Sequence, residues 1–181
     1  PVKESDRCEP MEFYSITKLA ATLYGQMVAR RDQKPIVTFR VFSPYGPAMQ
    51  RGRLMEAVIS KALRNEDIAM TDPQVSRDFI FADDIADLCV EAMDKASKVR
   101  GEVFNAGTGV TTTLKDFIAL VLQMTGSKSV VRWNALKSVS YDRATWQADM
   151  TKTFSHFTWR PKHSLKSGLA ETIAWMKEHR P

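Results

Sequence analysis

Tyr14-Ser-Ile-Thr-Lys18 opens a stretch in which apolar residues recur at helical spacing as far as Arg31. Residues four apart lie on one face of a helix, so the phenol of Tyr14 and the ammonium of Lys18 are expected one turn apart. A nearby cation stabilises phenolate relative to phenol, and this suits a tyrosine that takes a proton from a hydroxyl group and returns it. The same spacing is also typical of an ordinary surface pair, and the rest of the chain must decide between the two interpretations.

The composition predicts a folded domain with a substantial core. The chain has 181 residues, 44% of them hydrophobic, and a formal net charge of +5. No apolar run approaches the roughly 20 residues of a membrane span. Lysines and arginines are scattered and no nucleic-acid-recognition motif accompanies them, which favours a small anionic ligand. Cys8 and Cys89 lack the spacing of metal ligands, so no metal site is expected.

Helix and strand patterns alternate along the chain, which indicates an α/β fold. Helices are predicted at 12–31, 54–65, 84–96, 114–125, 150–157 and 165–179, and strands at 36–42, 68–71, 77–81, 102–106 and 130–133. A turn at Ser43 to Pro47 is expected to end the first strand. Thr113 and Gly126 are expected to cap the two ends of the fourth helix.

The third helix is expected to begin at an acidic cap, which is either Asp83 or Asp84. Its predicted apolar face comprises Ile85, Leu88, Cys89 and Met93. In the strand before it, Phe79 and Phe81 alternate with Asp78 and Ile80. This alternation predicts a strand with one face in the core.

Several motifs follow one another in a defined order. They are PVxE at 1–4 with YxxxK at 14–18, FRVFSPYGP at 39–47, RDFIFADDIA at 77–86, VFNAGTG at 103–109, ADMTK at 148–152, and WRP at 159–161 with Gly168-Leu169. This order resembles the second half of an extended short-chain dehydrogenase/reductase of the nucleotide-sugar epimerase/dehydratase kind. The resemblance spans nearly the whole chain. It implies an α/β fold, namely the C-terminal part of a Rossmann-type doubly wound sheet plus a small mixed α/β substrate-binding domain.

The resemblance also implies a division of the chain. Residues 1–47 would be the tail end of the dinucleotide-binding domain, which carries YxxxK. Residues 48–181 would form mostly the sugar-nucleotide-binding domain, with excursions back to the Rossmann sheet. The glycine-rich fingerprint that cradles a dinucleotide pyrophosphate has no counterpart in this sequence. We therefore expect a fragment that lacks the N-terminal half of its family and is inactive alone.

The resemblance implies a catalytic and cofactor role for four residues. Tyr14 would be the acid/base, and Lys18 would assist it and hydrogen-bond the nicotinamide ribose. Phe42 and Ser43 would lie where a strand end passes the nicotinamide and the sugar. The family usually has asparagine at the position of Ser43.

Substrate contacts are implied at a further set of positions. The set consists of Ser43, Arg53, Met70, Arg77, Asn105 and Arg143. Arg77 would pair with a diphosphate, because a guanidinium offers a planar fork of donors, and we expect it to be unpaired within the protein. Alternative interpretations stay open: a surface arginine at 77, a turn asparagine at 105 and a core methionine at 70.

The implied complete protein is an NAD-dependent enzyme, with NADP as the other candidate cofactor, that acts on nucleoside-diphosphate sugars. Hydride would pass between cofactor and a sugar carbon while Tyr14 exchanges the hydroxyl proton. Epimerase, dehydratase and reductase outcomes remain open, as do the sugar and the base. We expect a cytoplasmic homodimer without nucleic-acid or membrane partners. A non-catalytic sugar-nucleotide-binding module and a nucleic-acid binder are the alternatives from other functional classes.

Overall fold

The computed structural model describes residues 1–137 and 144–179. The helices in this part of the chain are α1 (Phe13–Arg31), α2 (Leu54–Leu63), α3 (Ala82–Lys95), α4 (Leu114–Thr125), α5 (Thr151–His156) and α6 (Leu165–His179). The strands are β1 (Thr38–Val41), β2 (Ser43–Tyr45), β3 (Ile68–Ala69), β4 (Ser76–Arg77), β5 (Phe79–Phe81), β6 (Val103–Ala106), β7 (Thr112–Thr113), β8 (Val131–Arg132) and β9 (Thr145–Trp146). The predicted α/β class is confirmed.

The strands form short sheets in which parallel pairing dominates. β1 pairs with β6 from Thr38↔Val103 to Val41↔Ala106, β2 pairs with β5, and β3 pairs with β8, all in parallel. A three-stranded sheet has the order β7-β4-β9, in which β4 is antiparallel to β7 and parallel to β9. Parallel neighbours need crossover connections, and helices α2, α3 and α4 lie between the strands along the chain accordingly.

In two segments the chain changes from one sheet to another at a single residue, which the sequence did not predict. Phe42 donates its N–H to Ala106 O at 3.0 Å, and the next residue, Ser43, donates to Asp78 O at 3.0 Å. Residues 43–45 therefore form β2, and the prediction that a turn begins at Ser43 is wrong. Asp78 likewise separates β4 from β5, where one strand had been predicted.

In the part of the chain that the structure describes, two hydrophobic clusters make up the core. The first contains Tyr45, Phe79 and Phe81 together with side chains of α2, α4 and α6. The second contains Ile80 and Phe104 together with side chains of α3 and residues 148–159. Since Phe79 and Phe81 belong to one cluster and Ile80 to the other, both faces of β5 are buried, and the prediction of a single core face is wrong. A strand buried on both sides is typical of a parallel sheet.

The helix ends show which local predictions hold. Thr113 Oγ1 accepts from Asp116 N at 3.0 Å, and Gly126 follows α4 with φ 67°, so both predicted caps are confirmed. Helix α3 is present as predicted, but its predicted cap is wrong, because the helix begins at Ala82 after Phe81 and neither aspartate is its cap.

The apolar face of α3 also differs from the prediction. Leu88 and Ala92 are buried and Ile85 is half-buried, whereas Cys89 and Met93 are exposed. The core contacts of this helix therefore follow 85, 88 and 92, the three- and four-residue spacing of a single helix face.

Helix α1 is unusually exposed. Only Ala29 is buried along its 19 residues, and Phe13 and Tyr24 are 89% and 67% exposed. In the described ranges, no helix combines the length and the apolar character needed to cross a membrane.

Candidate functional site

Tyr14 and Lys18 lie together in the first turns of α1. The Ser15 hydroxyl accepts from Glu12 N at 3.2 Å and donates to Glu12 O at 2.8 Å, which closes the start of the helix. Lys18 Nζ lies 5.3 Å from the centre of the Tyr14 ring, within the range of a cation–π contact. The tyrosine is 63% exposed, so a phenol and an ammonium face the same space outside the helix.

The segment before α1 is held against the sheet by hydrogen bonds. Val2 forms a parallel bridge with Ala148, and Val2 N donates to Gln147 O at 2.7 Å. Arg40 on β1 donates from Nη1 to Glu4 O at 3.0 Å, and Glu4 Oε1 accepts from Asn105 N at 2.8 Å. The PVxE motif therefore fixes the chain that leads into the Tyr14 helix.

Asn105 lies inside the protein at the junction of these segments. Asn105 is only 1% exposed. Its side-chain nitrogen, Nδ2, donates to Val2 O at 2.8 Å and to Asp149 O at 3.0 Å. The backbone carbonyl of Asn105 accepts from Thr153 Oγ1 at 2.7 Å. Both amide hydrogens thus bind backbone carbonyls, and the Asn105 side chain holds the N-terminal segment to Asp149, just before α5.

Phe42 and Ser43 occupy the point where the chain leaves the β1–β6 pair for the β2–β5 pair. Phe42 is half-buried against the second hydrophobic cluster. Ser43 is half-buried, opposite Phe79 in the parallel register. These two residues therefore lie at the carboxyl end of a parallel strand, the edge where ligands bind in open α/β sheets.

A cleft of about 460 Å³ brings together two of the predicted substrate residues. Met70 and Arg77 both line it, and Leu54 and Leu136 add apolar surface. Met70 is also part of the first hydrophobic cluster, so it serves the core and the cleft wall at once. A mostly apolar cleft with few charged groups is typical of a small-molecule site.

Arg77 reaches the cleft from β4. Its Nη1 donates to Ser76 O at 2.9 Å, so the expectation of an unpaired guanidinium is wrong. A guanidinium carries five N–H donors in a planar fork, an arrangement that matches the oxygens of a diphosphate. Arg53 lies between the cleft residues Gly52 and Leu54 and donates from Nε to Gln50 Oε1 at 3.2 Å.

Lys61 is a cleft residue that the sequence analysis did not identify. It lines the same cleft from α2, together with Leu54, Ala57 and Val58. The spacing 54, 57, 58, 61 is that of one helix face, and it could have revealed Lys61 once the cleft was assigned to α2. The predicted Arg143 lies outside the described residues.

The WRP motif is held by a carboxylate on α3. Glu91 accepts from Thr158 N and Trp159 N, both at 2.8 Å, and from Lys95 Nζ at 2.6 Å. Burial opposes the charge of Glu91, but these hydrogen bonds outweigh it and lower its pKa to about 2. This ionised group therefore fixes the C-terminal segment to α3.

Asp84 and His163 form a second link to the C-terminal segment. Asp84 is buried and accepts from Lys162 N at 3.0 Å, from His163 N at 3.1 Å, and from His163 Nδ1 at 3.0 Å. The hydrogen bond to Asp84 raises the pKa of His163. Asp84 thus joins α3 to the segment before α6.

Comparisons with known proteins agree with this architecture. A family model described as the NAD dependent epimerase/dehydratase family matches residues 1–107. The structure of UDP-glucose 4-epimerase from Thermotoga maritima with UDP-glucose is similar, with a TM-score of 0.90 and 27% identity over 98% of this chain and 57% of that chain. UDP-glucuronic acid 4-epimerase from Bacillus cereus, in complex with UDP-glucuronic acid and NAD, has a TM-score of 0.89 and 25% identity over 98% and 56%.

A curated human relative extends the comparison to a dehydratase. The dTDP-D-glucose 4,6-dehydratase of Homo sapiens is 26% identical over 186 residues, which cover 97% of this chain and 50% of that protein. The chain spans about half the length of the curated relatives it matches.

Proposed function

Because the chain belongs to the NAD dependent epimerase/dehydratase family, we propose that it supplies the sugar-nucleotide cleft and the acid/base pair of an NAD(P)-dependent nucleotide-sugar epimerase or dehydratase. The observation that carries the proposal is the cleft of about 460 Å³ that Met70 and Arg77 line together. An apolar wall suits a nucleoside, and an arginine at the wall suits a diphosphate. Lys61 adds a second positive charge to the same cleft.

The proposed chemistry begins with Tyr14. Its phenol lies beside the Lys18 ammonium, and as phenolate it takes the proton of a sugar hydroxyl and later returns it. The bound cofactor would accept a hydride from the carbon that bears this hydroxyl and give it back. The ammonium of Lys18 can donate to a ribose hydroxyl of the cofactor.

The residues that would hold the cofactor fit this role in part. Tyr14 and Lys18 face a common exposed space, and Phe42 and Ser43 lie at the carboxyl end of β1 and the start of β2. Ser43 can donate or accept through its hydroxyl. A dinucleotide also needs backbone N–H groups for its pyrophosphate, which the family provides in a glycine-rich turn that this sequence does not contain. We therefore propose that this chain alone binds NAD more weakly than it binds a nucleotide sugar.

The test is ligand binding to the chain itself. Isothermal titration calorimetry with UDP-glucose, dTDP-glucose and GDP-fucose is expected to give saturable binding for at least one of the three, and NAD is expected to bind more weakly. Free glucose is the control for a site that recognises the diphosphate.

Arg77→Ala provides the matched comparison. Loss of a charge-assisted hydrogen bond of ~1.5–3 kcal/mol is expected to weaken nucleotide-sugar binding roughly 10–150-fold. Arg64→Ala is the control, because Arg64 is an exposed arginine that pairs with Glu66 and does not line the cleft. Equal affinities of the two variants, or no binding of any nucleotide sugar to the unaltered chain, would contradict the proposed function.

A further inference from the structure

Asp78 is a fully buried carboxylate to which the proposed chemistry gives no task. Oδ1 accepts from Thr108 N at 2.8 Å and from Thr108 Oγ1 at 2.6 Å. Oδ2 accepts from Gly109 N at 2.9 Å and from Ala148 N at 3.1 Å. Four donors around one carboxylate make a strong set of charge-assisted hydrogen bonds, and they offset the cost of burying the charge.

These donors come from the two segments that flank β4. Thr108 and Gly109 lie in the loop that leads into β7, and Ala148 follows β9. The loop fits closely around the carboxylate, since a Cβ at Gly107 would lie 2.8 Å from Asp78 Oδ2 and 2.7 Å from Ala148 Cβ. Gln147 Nε2 also joins the two segments by donating to Gly109 O at 2.7 Å. Asp78 therefore closes one end of the sheet β7-β4-β9.

This sheet carries Arg77 into the cleft. Each of its three strands has only two residues, so few ladder hydrogen bonds fix the position of β4. Asp78 follows Arg77 directly, and its backbone carbonyl accepts from Ser43 N at 3.0 Å. One residue thus anchors both the arginine of the cleft and the strand end at Ser43.

We propose that Asp78 is a positioning residue, which holds the Arg77 guanidinium in the orientation that binds the diphosphate of a nucleotide sugar. The proposal rests on the proposed function of the cleft. Four N–H and O–H donors surround the Asp78 carboxylate, and their dipoles reduce its repulsion of an anionic ligand in the cleft.

Asp78→Asn is the substitution that tests the role with the least change of shape. An amide nitrogen at the Oδ2 position would face two N–H donors, from Gly109 and Ala148. At the Oδ1 position it faces one N–H and the Thr108 hydroxyl, which can instead donate to Val110 O, 3.2 Å away. The amide nitrogen that Asp78→Asn introduces is therefore expected at the Oδ1 position. There it still faces one donor, Thr108 N, for which it offers no acceptor.

The test is a double-mutant cycle that combines Asp78→Asn with Arg77→Met. Calorimetry measures the nucleotide-sugar affinity of each variant, at a temperature well below its unfolding temperature. Asp78→Asn alone is expected to weaken binding about tenfold. In the Arg77→Met background it is expected to have little further effect, because it acts through that guanidinium. A purely structural role would give the same loss in both backgrounds.

Thr108→Val is the second variant in case Asp78→Asn does not fold. It removes the hydroxyl donor to Oδ1 and keeps the shape of the side chain, so it should give a smaller loss that is again absent beside Arg77→Met. Unchanged affinity of the folded variants, or losses that add to that of Arg77→Met, would overturn the positioning role while leaving the proposed function intact. Failure of the unaltered chain to bind any nucleotide sugar would overturn both.

Discussion

Gly168→Ala is expected to destabilise the protein, although alanine is a better helix former than glycine. Gly168 lies in α6 and is buried. A Cβ at this position would overlap the Tyr45 hydroxyl, and it would lie 2.8 Å from Phe81 Cδ2 and 2.9 Å from Tyr45 Cζ. The tyrosine has little freedom to move, because it is buried and its ring lies edge-on to Phe81 at 5.5 Å.

The magnitude follows from two opposing contributions. Replacing a glycine inside a helix by alanine favours folding by about 1 kcal/mol. Overpacking against fixed aromatic rings costs ~3 kcal/mol, the upper part of the usual range, because all three neighbours are too close. The net loss is ~2 kcal/mol in the free energy of unfolding. For a chain of this size it lowers Tm by ~4–8 °C.

Gly25→Ala is the matched control. Gly25 lies inside α1, and a Cβ there would meet Ile36 Cγ2 at 3.5 Å and Thr38 Oγ1 at 3.8 Å, which are ordinary contacts. This variant is expected to be neutral or to gain up to ~1 kcal/mol. Thermal and urea unfolding followed by circular dichroism compare the two, and Tyr45→Phe should recover part of the loss in Gly168→Ala. A Gly168→Ala variant as stable as Gly25→Ala would refute the packing argument.

Three further predictions concern catalysis, acid stability and association. In the complete protein, Tyr14→Phe is expected to lower turnover of a nucleotide sugar by ~10²–10⁴-fold with the cofactor still bound, whereas Lys18→Met lowers turnover and cofactor content together; near-full activity of Tyr14→Phe would remove it from the acid/base role. The Glu91 carboxylate stabilises the fold above its ordinary pKa of 4.5, and this contribution is lost as the pH falls towards about 2. Between these pH values, the free energy of unfolding of Glu91→Gln should therefore depend less on pH than that of the unaltered chain. The exposed apolar side chains of α1 should make the chain self-associate, and light scattering should show smaller species when Phe13 and Tyr24 are replaced by serine; a chain that remains monomeric at high concentration would contradict this.

Helix positions followed from the sequence because their determinants are local. Backbone hydrogen bonds in a helix join residues four apart, so periodicity and caps within one segment are sufficient. The prediction for α6 agrees with the structure at both ends, and that for α1 differs by one residue. Thr113 and Gly126 were identified by the same local rules. The order of the motifs pointed in addition to the family, which the match over residues 1–107 supports.

Sheet membership could not be read in the same way, because it depends on partners far along the chain. Residues 36–45 read as one strand and a turn, but Phe42 binds Ala106 while Ser43 binds the backbone of Asp78. The change of sheet at Asp78 likewise depends on loops near 108 and 148. No pattern within either segment specifies these contacts.

The same distinction between local and long-range determinants applies to the candidate site. The sequence by itself determined the Tyr14–Lys18 pair, since four residues of helix place the two side chains on one face. Only the tertiary structure brought Met70, Lys61 and Arg77 to one cleft, and only it turned the amide of Asn105 towards two backbone carbonyls. The physical reason is that a cleft and a buried polar group are defined by the elements packed around them, which come from distant parts of the chain.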